Sequence, residues 1–164
     1  ILGFQIDDNK LLDGLIEFIE DTIFSRISLI LAEEPSAERQ CGQSIYLLLT
    51  FAERNPGITR ILTGDPLAGE TDRLRSRVAQ FFERFETQLK QVLREAEMRE
   101  GQRPLMETQA AANLMMATAE GRISQFVRSN FSRRPTDGWE VQWQAISGAI
   151  FPYANGRGLA PDAQ

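Results

Sequence analysis

The chain contains no histidine and a single cysteine, and these two shortages exclude a large part of enzyme chemistry. Without imidazole there is no Ser-His-Asp or Cys-His nucleophile pair, no HExxH zinc site and no Glu-x-x-His half of a di-iron bundle. The lone thiol, Cys41, can close no intramolecular disulfide and no Cys-x-x-Cys site, which fits a reducing, cytoplasmic setting. Long apolar runs are missing too. The longest, Ile45 to Leu49, falls far short of the ~20 residues that span a bilayer, so no membrane partner is expected. Positive charge is in deficit: 18 Lys plus Arg stand against 23 Asp plus Glu, a net charge of −5, which argues against this polypeptide by itself coating DNA or an anionic surface. Strict apolar alternation bounded by turns is absent, as is any internal repeat, and this disfavours sheets and solenoids.

What is present is helical periodicity in a chain of 164 residues, long enough for one domain with a real core. After Asp7-Asp8-Asn9, which reads as a capping cluster, Leu11, Leu12, Leu15, Ile16, Ile19, Ile23, Ile27 and Ile30 recur at the spacing of one helical stripe, predicting a helix over 10–33. Pro35 ends it. Ser36 can cap a second helix through Arg54, whose Ile45–Leu49 centre is apolar nearly all round and belongs in the middle of the fold. Asn55 as cap and Pro56 at the first position predict a short third helix over 56–63, closed by Gly64 and followed by a loop over 65–69. Leu74, Val78, Phe81, Phe82, Phe85, Leu89, Val92 and Leu93 mark a long fourth helix running from Thr71 to Gly101. Ala111 through Phe131 carry a fifth, and Thr136 or Asp137 caps a sixth bearing Trp139, Trp143, Ile146 and Ile150. The fold class is all-α with about six helices. Met115, Met116, Phe126, Trp139 and Trp143 crowd the last two helices with more large apolar surface than one small globule readily hides, which a two-fold helical-bundle dimer would cover. The chain opens at Ile1 without an initiator Met, so residues 1–9 read as a remnant or linker of something longer, 10–154 as the helical domain, and 155–164 as a fraying tail.

Candidate chemistry is sparse. Glu17, Glu20 and Asp21 share one helical turn, which suits either a hard cation or, more simply, a solvated face. Arg73, Arg75 and Arg77 are spread around their helix with Glu70, Asp72 and Glu83 as nearby acids, the pattern of a structural surface. Phe81, Phe82 and Phe85 recur at helical spacing and read more simply as core than as the lining of a ligand cavity, though both uses select the same residues. Cys41 lies in no low-pKa setting and reads as an inert thiol. Arg54-Asn55-Pro56-Gly57 places a cationic fork and an amide at a helix end, either as a structural turn or as a partner-binding corner. Neither a metal nor a cofactor is expected, and an enzyme in a helical bundle would lack ligands and proton-transfer groups.

Longer strings carry a resemblance. Leu15-Ile16-Glu17-Phe18-Ile19-Glu20-Asp21, Phe51-Ala52-Glu53-Arg54-Asn55-Pro56-Gly57-Ile58-Thr59-Arg60-Ile61-Leu62-Thr63-Gly64, the run from Leu74 to Leu89, the run from Ala119 to Ser129 and Arg134-Pro135-Thr136-Asp137 together resemble the nucleoid-occlusion factors of the TetR family, over about Leu11 to Phe151. That resemblance implies a TetR-type C-terminal dimerisation and regulatory domain whose two-fold dimer forms through a four-helix bundle. It also implies specific chromosomal DNA as a partner through a helix-turn-helix that these residues do not include, and a nucleoid-associated location. The second implied partner is FtsZ, the tubulin-like division protein, whose assembly such factors antagonise. Residue by residue, the resemblance places contacts with the FtsZ tail at Phe18 and Arg26 of the first helix and at Leu47, Arg54 and Asn55 of the second. Met115, Ile123, Phe126, Trp139, Trp143 and Ile146 are the corresponding expectation for the dimer interface. Thr50 stands where the family commonly has Gly, a change that narrows the expected groove. The competing expectation is a ligand-responsive TetR-type repressor with an effector cavity among the second, fourth and fifth helices.

Overall fold

A computed structural model describes residues 8–64 and 72–152, and within them six helices and no strand. The loop expected over 65–69 and the tail expected over 155–164 lie outside the described residues, as do residues 1–7. The helices are α1 (Asp8–Glu33), α2 (Ala37–Arg54), α3 (Pro56–Leu62), α4 (Asp72–Glu100), α5 (Thr108–Arg128) and α6 (Trp139–Ile150).

α1 begins two residues before Lys10, so Asp8 and Asn9 belong to its first turn instead of preceding it. Its Ile16, Ile19, Ile23 and Ile27 are buried, as the stripe requires, while Leu11 on the same stripe is exposed. The turn to α2 is tied by Gln40, whose Nε2 donates to Glu34 O at 2.7 Å and to Leu31 O at 3.4 Å. Ser36 caps α2, its Oγ accepting from Arg39 N at 3.4 Å. α1 and α2 therefore form an antiparallel hairpin.

α2 occupies the middle and packs on all five other helices. Cys41, Ile45, Leu48, Leu49 and Ala52 are completely buried, but Tyr46 turns outward, so the Ile45–Leu49 run is not enclosed on every side. One outward position remains because no neighbour covers that side of the helix there. α4 runs alongside α1 in the same direction, with Asp13 and Glu20 beside Arg73 and Arg77 and with Phe24 against Phe81 and Phe85. Each large side chain buried in this core contributes about 1.5–3 kcal/mol relative to leaving it in water.

Three helix ends differ from the sequence reading. Asn55 makes no side-chain cap to α3; its Nδ2 instead donates back to Phe51 O at 2.8 Å and closes α2. α5 stops at Arg128 and does not include Phe131. Asn130 and Phe131 both take positive φ, Asn130 N donates to Val127 O at 3.0 Å and Phe131 N to Phe126 O at 2.8 Å. This is the paired bonding of a Schellman end, with Asn at the left-handed position and Phe131 stacked edge-on against Phe126 at 5.1 Å. α6 starts after Gly138, at φ +70°, and neither Thr136 nor Asp137 caps it, because the chain enters the helix through a left-handed residue that glycine adopts without strain.

Candidate partner-binding site

The face formed by α1 and α2 carries the residues singled out for partner binding. Phe18 is 54% exposed, a large ring left in water on a helix whose opposite side is core. Arg26 and Arg54 are exposed and form no hydrogen bond or ion pair among the described residues. Leu47 is half-buried, one turn before Thr50 and two before Arg54 on the same side of α2. The Thr50 hydroxyl oxygen is buried without a hydrogen-bond partner among the described residues, an unusual condition for a polar atom.

Counting outward from the α1–α2 turn puts Arg26 level with about Ser44 and Phe18 level with about Ala52, because both helices advance ~1.5 Å per residue. The interval from Arg26 to Arg54 is then ~15 Å along the hairpin, the length of about five residues of extended peptide. Asn55 is different: its amide is committed to Phe51 O, and its carbonyl accepts from Thr59 N and Thr59 Oγ1, both at 2.9 Å. Thr59 Oγ1 also reaches Ala52 O at 2.7 Å. Asn55 thus shapes the corner from within, and Arg54 is the group that faces outward.

The residues expected at the dimer interface divide in two. Met115, Ile123, Phe126 and Trp139 are buried within the chain's own core and present almost no surface to a second copy. Sequence pattern cannot separate these two fates, since an intramolecular core and an interface both select large apolar side chains. Trp143 and Ile146 are half-buried and remain available. What α5 and α6 do expose is Leu114 at 37% and Val141 at 72%, together with the small residues Ala117, Gly121, Ala145 and Ala149.

Other candidates resolve simply. Glu20 faces Arg77 at 3.8 Å, Glu17 and Asp21 are exposed, and no group of three or more His, Cys, Asp or Glu could hold a metal among the described residues. Arg73 and Arg77 pair with Asp13 of α1, not with Asp72 or Glu83, an arrangement set by the parallel packing of α1 and α4. Phe81 and Phe85 are core, and Phe82 is half-buried. Cys41 is fully buried, and desolvation together with nearby Glu38 pushes its thiol far up, which leaves it inert. No helix among the described residues is long and apolar enough to cross a membrane.

A cavity of about 250 Å³ opens where α3 meets α4, lined by Ile61, Leu62, Val78 and Phe82 with Glu120 of α5 at its edge. It differs in place from the effector cavity expected among the second, fourth and fifth helices, which meet through Leu48, Phe85 and Met115. Partial burial and the facing Glu86 hold the Glu120 carboxyl above its ordinary range. The sequence reading missed a set of pairings between distant elements. Trp143 Nε1 donates to Glu38 Oε1 at 3.1 Å, Thr136 Oγ1 donates to Glu53 Oε1 at 2.8 Å, and Arg60 lies over the Phe131 ring at 5.1 Å. No sequence spacing signals contacts of that range.

Comparison with known proteins agrees with this architecture. The chain is 53% identical over 137 residues to the nucleoid occlusion factor SlmA of Idiomarina loihiensis, a match covering 84% of this chain and 70% of that protein. SlmA of Shewanella pealeana shows the same identity and coverage. Among solved structures, the transcriptional regulator FadR from Bacillus subtilis, in complex with stearoyl-CoA, is similar in fold with a TM-score of 0.61. It shares 11% identity, over 88% of this chain and 75% of that one. A family model described as SlmA-like, tetracyclin repressor-like C-terminal domain, matches residues 38–150. The six-helix chain therefore belongs to the SlmA-like family of tetracyclin repressor-like C-terminal domains.

Proposed function

We propose that this chain is the dimerisation and FtsZ-binding part of a nucleoid occlusion factor, working without catalysis. In this reading it acts at the nucleoid in the cytoplasm, where the whole protein reaches specific chromosomal sites through a helix-turn-helix domain outside residues 10–154. It antagonises FtsZ assembly while bound there. The observation that carries the partner reading is the α1–α2 face, where an exposed aromatic ring stands with two arginines that have no partner among the described residues. Phe18 and Leu47 supply apolar anchors, and Arg26 and Arg54 supply charge-assisted bonds to carboxylates or carbonyls of a peptide. Asn55 holds the corner on which Arg54 stands. Two copies meet through the exposed side of α5 and α6, where Leu114, Val141, Trp143 and Ile146 border small residues that allow close helix approach.

Fluorescence anisotropy of a labelled FtsZ C-terminal tail peptide tests the reading. Ordering a flexible peptide costs free energy, so the expected affinity is micromolar or weaker. Arg54→Ala removes a charge-assisted bond and is expected to weaken binding about tenfold or more, with Phe18→Ala similar and circular dichroism unchanged. A folded chain that shows no saturable binding up to several hundred micromolar would sink the partner reading.

One observation favours a second reading, a ligand-responsive repressor: the largely apolar cavity of about 250 Å³ between α3 and α4. It is slightly below the roughly 300–1,000 Å³ typical of small-molecule pockets.

A further inference from the structure

The connector between α5 and α6, residues 129–138, is fastened to the α2–α3 corner at two points. Thr136 Oγ1 donates to Glu53 Oε1 at 2.8 Å, across 83 positions of sequence, with both residues half-buried. The Arg60 guanidinium, on α3, lies 5.1 Å from the centre of the Phe131 ring. Glu53 and Arg60 bracket the segment that carries Arg54.

The connector can act as a fixed support because it is itself held at several points. Its first residues form the Schellman end of α5, with Phe131 in a left-handed conformation that a bulky residue takes only when its surroundings demand it. Arg122 of α5 grips the other half. Its Nε donates to Pro135 O at 3.2 Å, and its Nη2 donates to Arg134 O at 3.2 Å and also to Asp137 O. Arg134 and Asp137 pair at 3.2 Å, and Pro135 is buried.

We infer that the α5–α6 connector positions the partner-binding corner, with Thr136 and Phe131 as positioning residues acting through Glu53 and Arg60. They tie down the last turn of α2, through Glu53, and the last turn of the short helix α3, through Arg60, and so hold the corner between them from which Arg54 projects. This rests on the reading of Arg54 as a partner contact.

The experiment uses the whole chain with Thr136→Val, which removes the hydroxyl and keeps the shape, and Thr136→Ser, which keeps the hydroxyl. Two quantities are read: affinity for the labelled FtsZ tail peptide, and amide hydrogen exchange across residues 53–60. Thr136→Val is expected to weaken peptide binding about three- to tenfold and to quicken exchange over 53–60. Thr136→Ser is expected to stay within about twofold of the unmodified chain, with helicity and sedimentation mass constant in all. If Thr136→Val loses helicity, Phe131→Leu takes its place, since it keeps an apolar contact with Phe126 but removes the ring beneath Arg60. Equal affinity and equal exchange across the set overturn the inference. Weaker binding with unchanged exchange overturns it too, because Thr136 would then be a contact and not a support. If the unmodified chain binds no peptide, the partner reading fails on its own account. Exchange then decides the positioning role alone: acceleration in Val but not Ser supports it, and equality overturns it.

Discussion

Gly42→Ala is a substitution whose sign the tertiary structure reverses. In the interior of an exposed helix, replacing Gly by Ala stabilises by about 1 kcal/mol through backbone entropy. Gly42 sits inside α2, and a Cβ placed there would lie 2.6 Å from Trp143 Nε1 and 2.8 Å from Trp143 Cε2. Ordinary carbon contacts begin near ~3.5 Å, so the indole must retreat by close to an ångström. Such a shift disturbs the contacts that hold the indole in place. Its Nε1 is bonded to Glu38 Oε1 at 3.1 Å, its ring stacks on Trp139 at 6.2 Å, and Phe151 packs against it at 6.5 Å. Overpacking of this kind costs about 1–3 kcal/mol, and losing the indole bond to the carboxylate adds about 1 kcal/mol. After the propensity gain, the net destabilisation is about 1–3 kcal/mol. For a chain of this length that lowers Tm by roughly 3–10 °C. Thermal melts at one fixed protomer concentration read it, because the proposed pairing of copies would shift Tm by mass action. The control is the same substitution in a Trp143→Ala background, where the obstacle is gone and alanine should stabilise by up to about 1 kcal/mol. A higher Tm for Gly42→Ala with Trp143 still present would mean that the indole does not obstruct a side chain at position 42.

Two further outcomes follow from the same structure. Val141→Asp puts a charge at the most exposed apolar position of α6 without touching the core, so it is expected to shift sedimentation from dimer to monomer while helicity stays intact; an unchanged dimer would move the pairing surface elsewhere. The folded chain binds the proton of Glu120 more tightly than the unfolded chain, because the carboxyl is held above its ordinary range; the charged form therefore weakens the fold at neutral pH, and this penalty fades as pH falls from the raised value toward the ordinary one and is gone below the ordinary carboxylate range. Glu120→Gln is expected to stabilise slightly at pH ~7, by less than about 0.5 kcal/mol given its exposure, and to lose that advantage by pH ~3.5. Denaturant melts at the two pH values check it, and equal gains at both would contradict the assignment.

The α1–α2 face shows how far a candidate site can be read in advance. Resemblance named Phe18, Arg26, Leu47, Arg54 and Asn55, and four of the five stand exposed or half-buried with no competing side-chain bond among the described residues. Asn55 could not be told apart from Arg54 in sequence, because an amide at a helix end serves a turn or a partner with the same atoms. Its Nδ2 bond to Phe51 O gives it a role in the turn that the sequence does not display.

That the chain is helical, and roughly where each helix lies, is written in its local pattern. Helical periodicity is a local property, written in spacings of three and four, and Ser36, Pro35 and Pro56 act on their own neighbourhoods. Which apolar residues are interior and which are surface depends instead on how the helices pack. Met115, Phe126 and Trp139 lie on the same two helices as Leu114 and Val141, and which way each points depends on packing against α2 and α4. The same holds for Trp143 over Gly42 and for Thr136 on Glu53. Those contacts join residues about 80 to 100 positions apart, and no local rule of spacing reaches that far.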